Sequence, residues 1–356
     1  MAERKRQRGI ALITALLVLA IATIAAVEIA NRQHLDIRRT QNTLARDQAQ
    51  DYLLSAEAFL INALKRDINE GGTNQSDHLR EDWAQPMVVP EFHGAKLTGQ
   101  PTDLQGRFNL NNLSSLIGTA PDTWRQKAVY QQFWLLLENL KLSPEGQELN
   151  LQYDSHALIE ALVDWIDPDV NPTGSGGAED SYYLNLDPPY RPANDLLTHP
   201  SELQLIRGFG PEGPPGLVKL LVEDKRLVTA LPTTAGTTTI NVNTAPAEVL
   251  MAVIPGLSAD NAVALAERVA EEPWSDVSAF VQEAQKLRGS GGAGQGASGI
   301  GGGNQIAAES LGVSSSYFAL VARVELGPAV AYLESVIYRD PQTAALYVLS
   351  RSRTPF

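Results

Sequence analysis

Between Ala161 and Asp180 the chain reads ALVDWIDPDVNPTGSGGAED, with five carboxylates (Asp164, Asp167, Asp169, Glu179 and Asp180) and no Lys or Arg before Arg191. A helix spanning Ser155–Ile166 would point its negative dipole end at this loop, where further acids are disfavoured. Like charges gathered there repel unless something positive sits among them. Asp167, Asp169 and Asn171 also have the D-x-D-x-N spacing of the first ligands of a calcium loop. The match then ends: Pro172 stands where the EF-hand needs Gly, and Ala178 occupies the bidentate position, with Glu179 one residue late. An oxygen-rich loop lacking His and Cys still suits Ca²⁺ better than zinc or copper. The same pattern also describes a solvated Pro- and Gly-rich turn that binds nothing. A third use is a catalytic carboxylate pair of the glycosidase type, with Trp165, Tyr182 and Tyr183 nearby; one loop is a poor source of two opposed acids.

Little else in the chain invites chemistry. Its 356 residues include no Cys, which removes disulfides, thiolate nucleophiles, iron–sulfur clusters and Cys-type zinc sites. His34, His78, His93, His156 and His199 are scattered, with no pair at metal-ligand spacing. Gly294–Gly299 spells G-x-G-x-x-G, but it lies in a tract where nine of 15 residues (289–303) are Gly, with no strand before it. That is a flexible loop, not a dinucleotide turn. Ile240–Ser258 resembles a helix-hairpin-helix unit that grips DNA phosphate. Here Asp260, Glu267, Glu271, Glu272 and Asp276 surround it, so phosphate would be repelled and no nucleic acid is expected. The formal charge of −13 points the same way.

The elements that must carry the loop begin at the N-terminus. Met1–Gly9 (MAERKRQRG) is basic, and from Ile10 to Val27 no charge appears and Thr14 and Thr23 are the polar side chains. Eighteen helical residues at ~1.5 Å each span about 27 Å, close to a bilayer core, and the basic flank would stay cytoplasmic. A cleaved signal peptide has a shorter apolar core, and Ala20-Ile21-Ala22, its cleavage candidate, lies inside the run rather than after it; a plain signal anchor fits the length. No Gly or Pro occurs from Ile10 to Asn69, and past Glu28 the pattern turns amphipathic, with Leu53, Leu60 and Leu64 on one face. This predicts one continuous helix that Gly71-Gly72 ends.

A short basic leader ending in Gly, an apolar helix starting at once and an amphipathic continuation resemble a type IV prepilin-type N-terminus. The D-W-I-D-x-D and G-A-E-D-x-Y-Y phrases of the acidic loop are similar to those of the minor pseudopilin K family of type II secretion systems. The resemblance implies cleavage by the prepilin peptidase at the Gly9–Ile10 bond and methylation of the new amino terminus at Ile10. Most pilin-like subunits carry Glu at the fifth mature position; here Thr14 stands there, which spares an expensive carboxylate in lipid and would leave the contact to a subunit above unmade. The resemblance also implies structural calcium in the inserted domain, carried by Asp167, Asp169, Glu179 and Asp180, with Asn171 and Asp164 as weaker ligands. Implied partners are minor pseudopilins I and J, and minor pseudopilin H or the major pseudopilin below.

The expected architecture is α+β: a pilin-like fold, with a long N-terminal helix and an antiparallel sheet, carrying a large all-α insertion. Tyr317–Glu325 and Ala329–Tyr338, rich in Val, Tyr and Ile and separated by Gly327-Pro328, read as a hairpin, with Ala345–Ser350 as a third strand. The segments are a leader (1–9), a stem (10–70), the first part of the sheet domain (71–111), the insertion (112–310) and the terminal strands (311–356). Phe108–Asn112 (FNLNN) and Ile240–Thr244 (INVNT) suggest a twofold repeat in the insertion. The expected role is a non-enzymatic tip subunit of the secretion pseudopilus, held in the bacterial inner membrane with its bulk in the periplasm. The alternative is a membrane-anchored periplasmic hydrolase using residues 164–180.

Overall fold

The computed structural model describes residues 4–71, 76–233, 236–290 and 305–353. Helix α1 runs from Arg4 to Gly71 without a break, as its lack of Gly and Pro and its wealth of Ala, Leu, Arg and Gln require. Its two halves differ. From Ile10 to Leu44 every residue is exposed, including Leu12, Ile13, Leu16, Leu19 and Ile24. In the second half Ala49, Ala56 and Ala63, seven apart, let the helix approach closely, while Leu53, Leu60 and Leu64 fill the gap below it. Burying each leucine contributes about 2 kcal/mol.

That stripe lies on a five-stranded sheet ordered β1-β2-β7-β8-β9, antiparallel throughout. Its strands are β1 (Met87–Phe92), β2 (Ala95–Asp103), β7 (Tyr317–Leu326), β8 (Ala329–Arg339) and β9 (Leu346–Ser352). Alternating Phe318, Leu320, Ala322 and Val324 of β7, with Leu333 and Ile337 of β8, meet the helix. Gly327, at positive φ (54°), turns β7 into β8. β2 tolerates Pro101 because its partner β1 reaches only Gly99, leaving that side of the strand unpaired. The buried Glu57 of α1 is held by Arg351 of β9 at 2.8 and 2.7 Å and by the Ser335 hydroxyl at 2.5 Å.

The described residues between β2 and β7 form a second, helical body with its own core. Its elements are β3 (Phe108–Asn109), helices α2 (Pro121–Trp124), α3 (Ala128–Leu142), α4 (Pro144–Glu148), α5 (Ser155–Ile166), α6 (Asp180–Tyr183) and α7 (Leu217–Lys219), then β4 (Val228–Thr229), β5 (Ile240–Asn241), α8 (Ala247–Val253), α9 (Ala259–Glu271), α10 (Val277–Ser290) and β6 (Leu311–Gly312). Helix α3 is central, packing on α5 and α8 through Phe133, Leu136, Leu137 and Leu140. Phe108 and Leu110 already belong to this core, so the chain passes from sheet to helical body just after Leu104. The Gly-rich stretch expected as a loop at 289–303 lies, from Gly291 onward, outside the described residues.

The two halves of the helical body repeat a device. β3 pairs in parallel with β4, and β5 with β6. Two residues beyond each first strand, Asn111 clamps both main-chain groups of Leu197 (2.9 Å each), and Asn243 clamps those of Trp274 (2.8 and 2.9 Å). The bodies meet at Asp103, whose buried carboxylate accepts from Gln105 N (2.8 Å), Asn241 (3.0 Å), Thr244 (2.6 Å) and Ser315 (2.6 Å).

Candidate metal centre

The acidic loop begins on α5. Asp154 caps this helix by accepting from His156 N at 2.9 Å. His156, Glu160 and Asp164, four residues apart, then line one face, and that face holds the loop. Glu160 accepts from Gly176 N at 2.6 Å and lies 3.2 Å from His156 Nε2. Asp164 accepts from Thr173 N at 3.1 and 3.0 Å. The loop lies so close that a Cβ on Gly177 would stand 2.3 Å from Asp164 Oδ2, so only glycine fits. Trp165 and Tyr183 pack edge to face beneath it, centroids 5.3 Å apart, which ties the loop to the helical core.

The structure brings Asp164, Asp167 and Glu179 together: one oxygen from each lies within 4.8 Å of the others. They are 0 %, 5 % and 1 % exposed, so the cluster is shielded from water. Among the described residues none of the three makes an ion pair, and both carboxylate oxygens of Glu179 are buried without a hydrogen-bond partner. Burial, then the charges of Asp164, Asp167, Asp169 and Asp180, push Glu179 up to about 8. Burial pushes Asp164 up to about 6 despite its bonds to Thr173. Asp167 is also raised, by burial and then by Asp169.

The remaining sequence candidates sit around this trio. Asp169 is exposed and accepts from Asn171 N (2.7 Å) and Nδ2 (3.0 Å), forming a turn. Asp180 pairs with Arg191 at 2.6 Å, outside the trio. Asp164, a weaker candidate by sequence, is thus at the centre, while Asp180 has its own cation. Two residues escaped the sequence reading. Glu160 precedes the acidic run by one helical turn, and only the folded loop reveals its bond to Gly176. Asn194, at positive φ (46°), donates to the Asp169 carbonyl at 3.1 Å and keeps a buried, unpartnered Oδ1; nothing local marks it.

An ion bound by oxygens at 2.3–2.6 Å needs those oxygens within about 5 Å of one another, which the trio satisfies. The donors are all oxygen, which selects a hard divalent cation. Buried carboxylates without an internal counter-charge are costly. The residues present therefore fit calcium. A hydrolytic pair facing each other across a cleft is not formed by this converging trio. At the other end of the chain, Gly9 and Ile10 are consecutive within α1, and Thr14 bonds the Ile10 and Ala11 carbonyls of its own helix at 3.1 and 3.0 Å. Its hydroxyl asks nothing of a neighbour.

Two family models described as type II secretion system (T2SS), protein K, match residues 106–233 and 240–301, one on each half of the helical body. The chain is 34 % identical to the type II secretion system protein K of Pseudomonas aeruginosa, over 94 % of this chain and 90 % of that one. It is 31 % identical to the protein of the same name from Aeromonas hydrophila, over 94 % of each. Its fold matches a chain of the GspK-GspI-GspJ complex from the enterotoxigenic Escherichia coli type 2 secretion system, with a TM-score of 0.66 and 25 % identity, covering 89 % of this chain and all of that one. The chain belongs to the type II secretion system protein K family and is a minor pseudopilin of type II secretion.

Proposed function

We propose that this chain is the non-catalytic tip subunit of a type II secretion pseudopilus, anchored in the inner membrane with both folded bodies in the periplasm. The observation that carries this reading is the division of α1: Ile10–Val27 is apolar and uncovered, while Ala49, Leu53, Leu60 and Leu64 further along are covered by the sheet. One helix of the described residues is long and apolar enough to cross a membrane. In a filament of such subunits the uncovered half packs beside sibling helices. Thr14, satisfied within its own helix, requires no partner above, and the helical body adds bulk that would obstruct another subunit there. The neighbouring fold was solved with GspI and GspJ, which supports pseudopilins I and J as this chain's partners, with pseudopilin H or the major pseudopilin below. The prepilin peptidase would cut between Gly9 and Ile10, and Ile10 would be methylated.

Calcium belongs to this reading as a structural ion held by Asp164, Asp167 and Glu179, with Asp169, Asn171, Asp180 and Asn194 as further oxygen sources nearby. When bound it neutralises the cluster and fixes the loop against α5; it takes part in no reaction. Affinity in the weak range of extracellular calcium modules is expected, since the loop must be ordered on binding.

The test is to purify the tagged full chain from membranes of a secreting cell. The expected result is a mature chain starting at N-methylated Ile10, co-purifying with pseudopilins I and J, and loss of export on deletion. A mature chain starting beyond Val27, free of membranes and pseudopilins, would overturn the reading. Turnover of a glycoside abolished by Asp167→Asn would do so as well.

A further inference from the structure

A second group of acids lies where the stem ends. Asp67 of α1, with Asp77 and Glu81 of the segment leading to the sheet, brings one carboxylate oxygen each to within 4.8 Å of the others. The Arg339 guanidinium at the end of β8 lies 3.3 Å from Asp67 and in contact with Asp77. Arg80 is turned away, its guanidinium bonding the Glu271 carbonyl. His78 lies 3.4 Å from Glu81, and burial, then the charge of Arg80, lowers its affinity for a proton.

The independent sign of a missing ligand is Asp77. It is fully buried, and its Oδ2 takes the Ser315 amide (2.6 Å) and Arg339, while its Oδ1 has neither a hydrogen-bond partner nor access to water. Its main chain is fixed, with N donating to Val313 O at 2.9 Å and O accepting from Asn241 at 3.0 Å. The carboxylate therefore cannot swing out to solvent. Glu81 is likewise held by His78 N (3.2 Å) and the Trp83 indole. Burial pushes Glu81 up to about 7, with Asp67 and Asp77 adding, and pushes Asp77 up to about 6 against the pull of Arg339, with Asp103 adding.

We propose that Asp67, Asp77 and Glu81 form a second site for a hard divalent cation, separate from the acidic loop, that clips the end of the stem helix to the start of the sheet. A divalent ion there would give Asp77 Oδ1 its partner. Its position joins three parts: α1 through Asp67, the sheet through Arg339, and the helical body through the Ser315 and Asn241 contacts of Asp77. Oxygen donors point to calcium or an ion of its class rather than copper.

The experiment counts calcium bound by the detergent-solubilised full chain after dialysis against calcium. With the acidic loop disabled by Asp167→Asn and Glu179→Gln, one equivalent should remain bound. Adding Glu81→Gln and Asp67→Asn should remove it, and Glu81→Gln alone in the natural chain should lower the count by one. Terbium in the loop-disabled chain should luminesce on tryptophan excitation, and Trp83→Phe should lose most of that emission while calcium stays bound, a readout that misfolding would not give. No ion in the loop-disabled chain, or an ion that survives Glu81→Gln with Asp67→Asn, overturns the proposal, whatever becomes of the acidic-loop site.

Discussion

Glu57 and Glu179 are the same residue type at nearly the same burial, 4 % and 1 % exposed, in opposite surroundings. Glu57 has a bidentate Arg351 and the Ser335 hydroxyl, and despite burial its carboxyl is held below the ordinary value. Glu179 has four acidic neighbours, no hydrogen bond to its carboxylate, and a carboxyl pushed to about 8. The first is a finished ion pair that fastens the edge strand to the stem. The second is finished only when something positive arrives from outside the chain. The sheet body thus closes this pair internally, whereas the acidic loop of the helical body gathers three carboxylates with no ion pair among the described residues.

The largest effect should come from breaking the finished pair. Arg351→Ala strands a buried carboxylate and should cost about 3 kcal/mol, read as a lowered denaturation midpoint whether or not calcium is present. Gly177→Ala comes next. Its methyl would stand 2.3 Å from Asp164 Oδ2 and from the Thr173 carbonyl oxygen, so the loop must move, with an expected loss of about 2 kcal/mol together with weakened calcium binding by calorimetry.

A subtler contrast lies in pH. The folded value of Glu57 is below 4.5, so its stabilisation is present above 4.5 and lost as pH falls through the folded value. Without calcium Glu179 lies above 4.5, near 8, so the folded chain holds its proton more tightly; that contribution is complete below 4.5 and lost as pH rises towards 8. In calcium-free buffer, stability against pH should therefore lose its acid-side slope in Glu57→Gln and its alkaline-side slope in Glu179→Gln. The smallest effect belongs to Arg191→Ala. The pair it forms with Asp180 is 70 % exposed on the arginine side, so in the chelated chain stability should change by less than about 1 kcal/mol.

What the residues disclosed in advance was local. The unbroken stem follows from helix formers without Gly or Pro, and the β7–β8 hairpin from Val, Tyr and Ile flanking Gly327-Pro328. Asp164, Asp167 and Glu179 were visible as a run of acids without bases. Less visible were features set by distant contacts. β2 carries Gly99 and Pro101, residues uncommon within strands, and the short reach of β1 leaves room for the proline. α2 and α3 are separated at Arg125–Lys127, where Lys127 leaves the helical region (ψ 131°) as the N-cap residue of α3. Pro200–Leu205 is a 3-10 turn entered from a capping box at His199. The Asp77–Asp103–Arg339 junction, built from three far-apart segments, has no sequence signature at all.

The account rests on the helical body needing an external cation. Thermal unfolding of the detergent-solubilised full chain, with calcium and with chelator, tests this directly beside Glu179→Gln and a chain disabled at Asp67 and Glu81. With calcium at a hundredfold excess over Kd, the acidic-loop site alone should add about 2.7 kcal/mol in the Asp67/Glu81 variant, and the natural chain should gain at least as much. In Glu179→Gln the gain should shrink, and under chelation at a pH above about 8, where the natural carboxyl ionises, this variant should melt above the natural chain. A natural chain that melts at the same temperature with and without calcium would contradict the account.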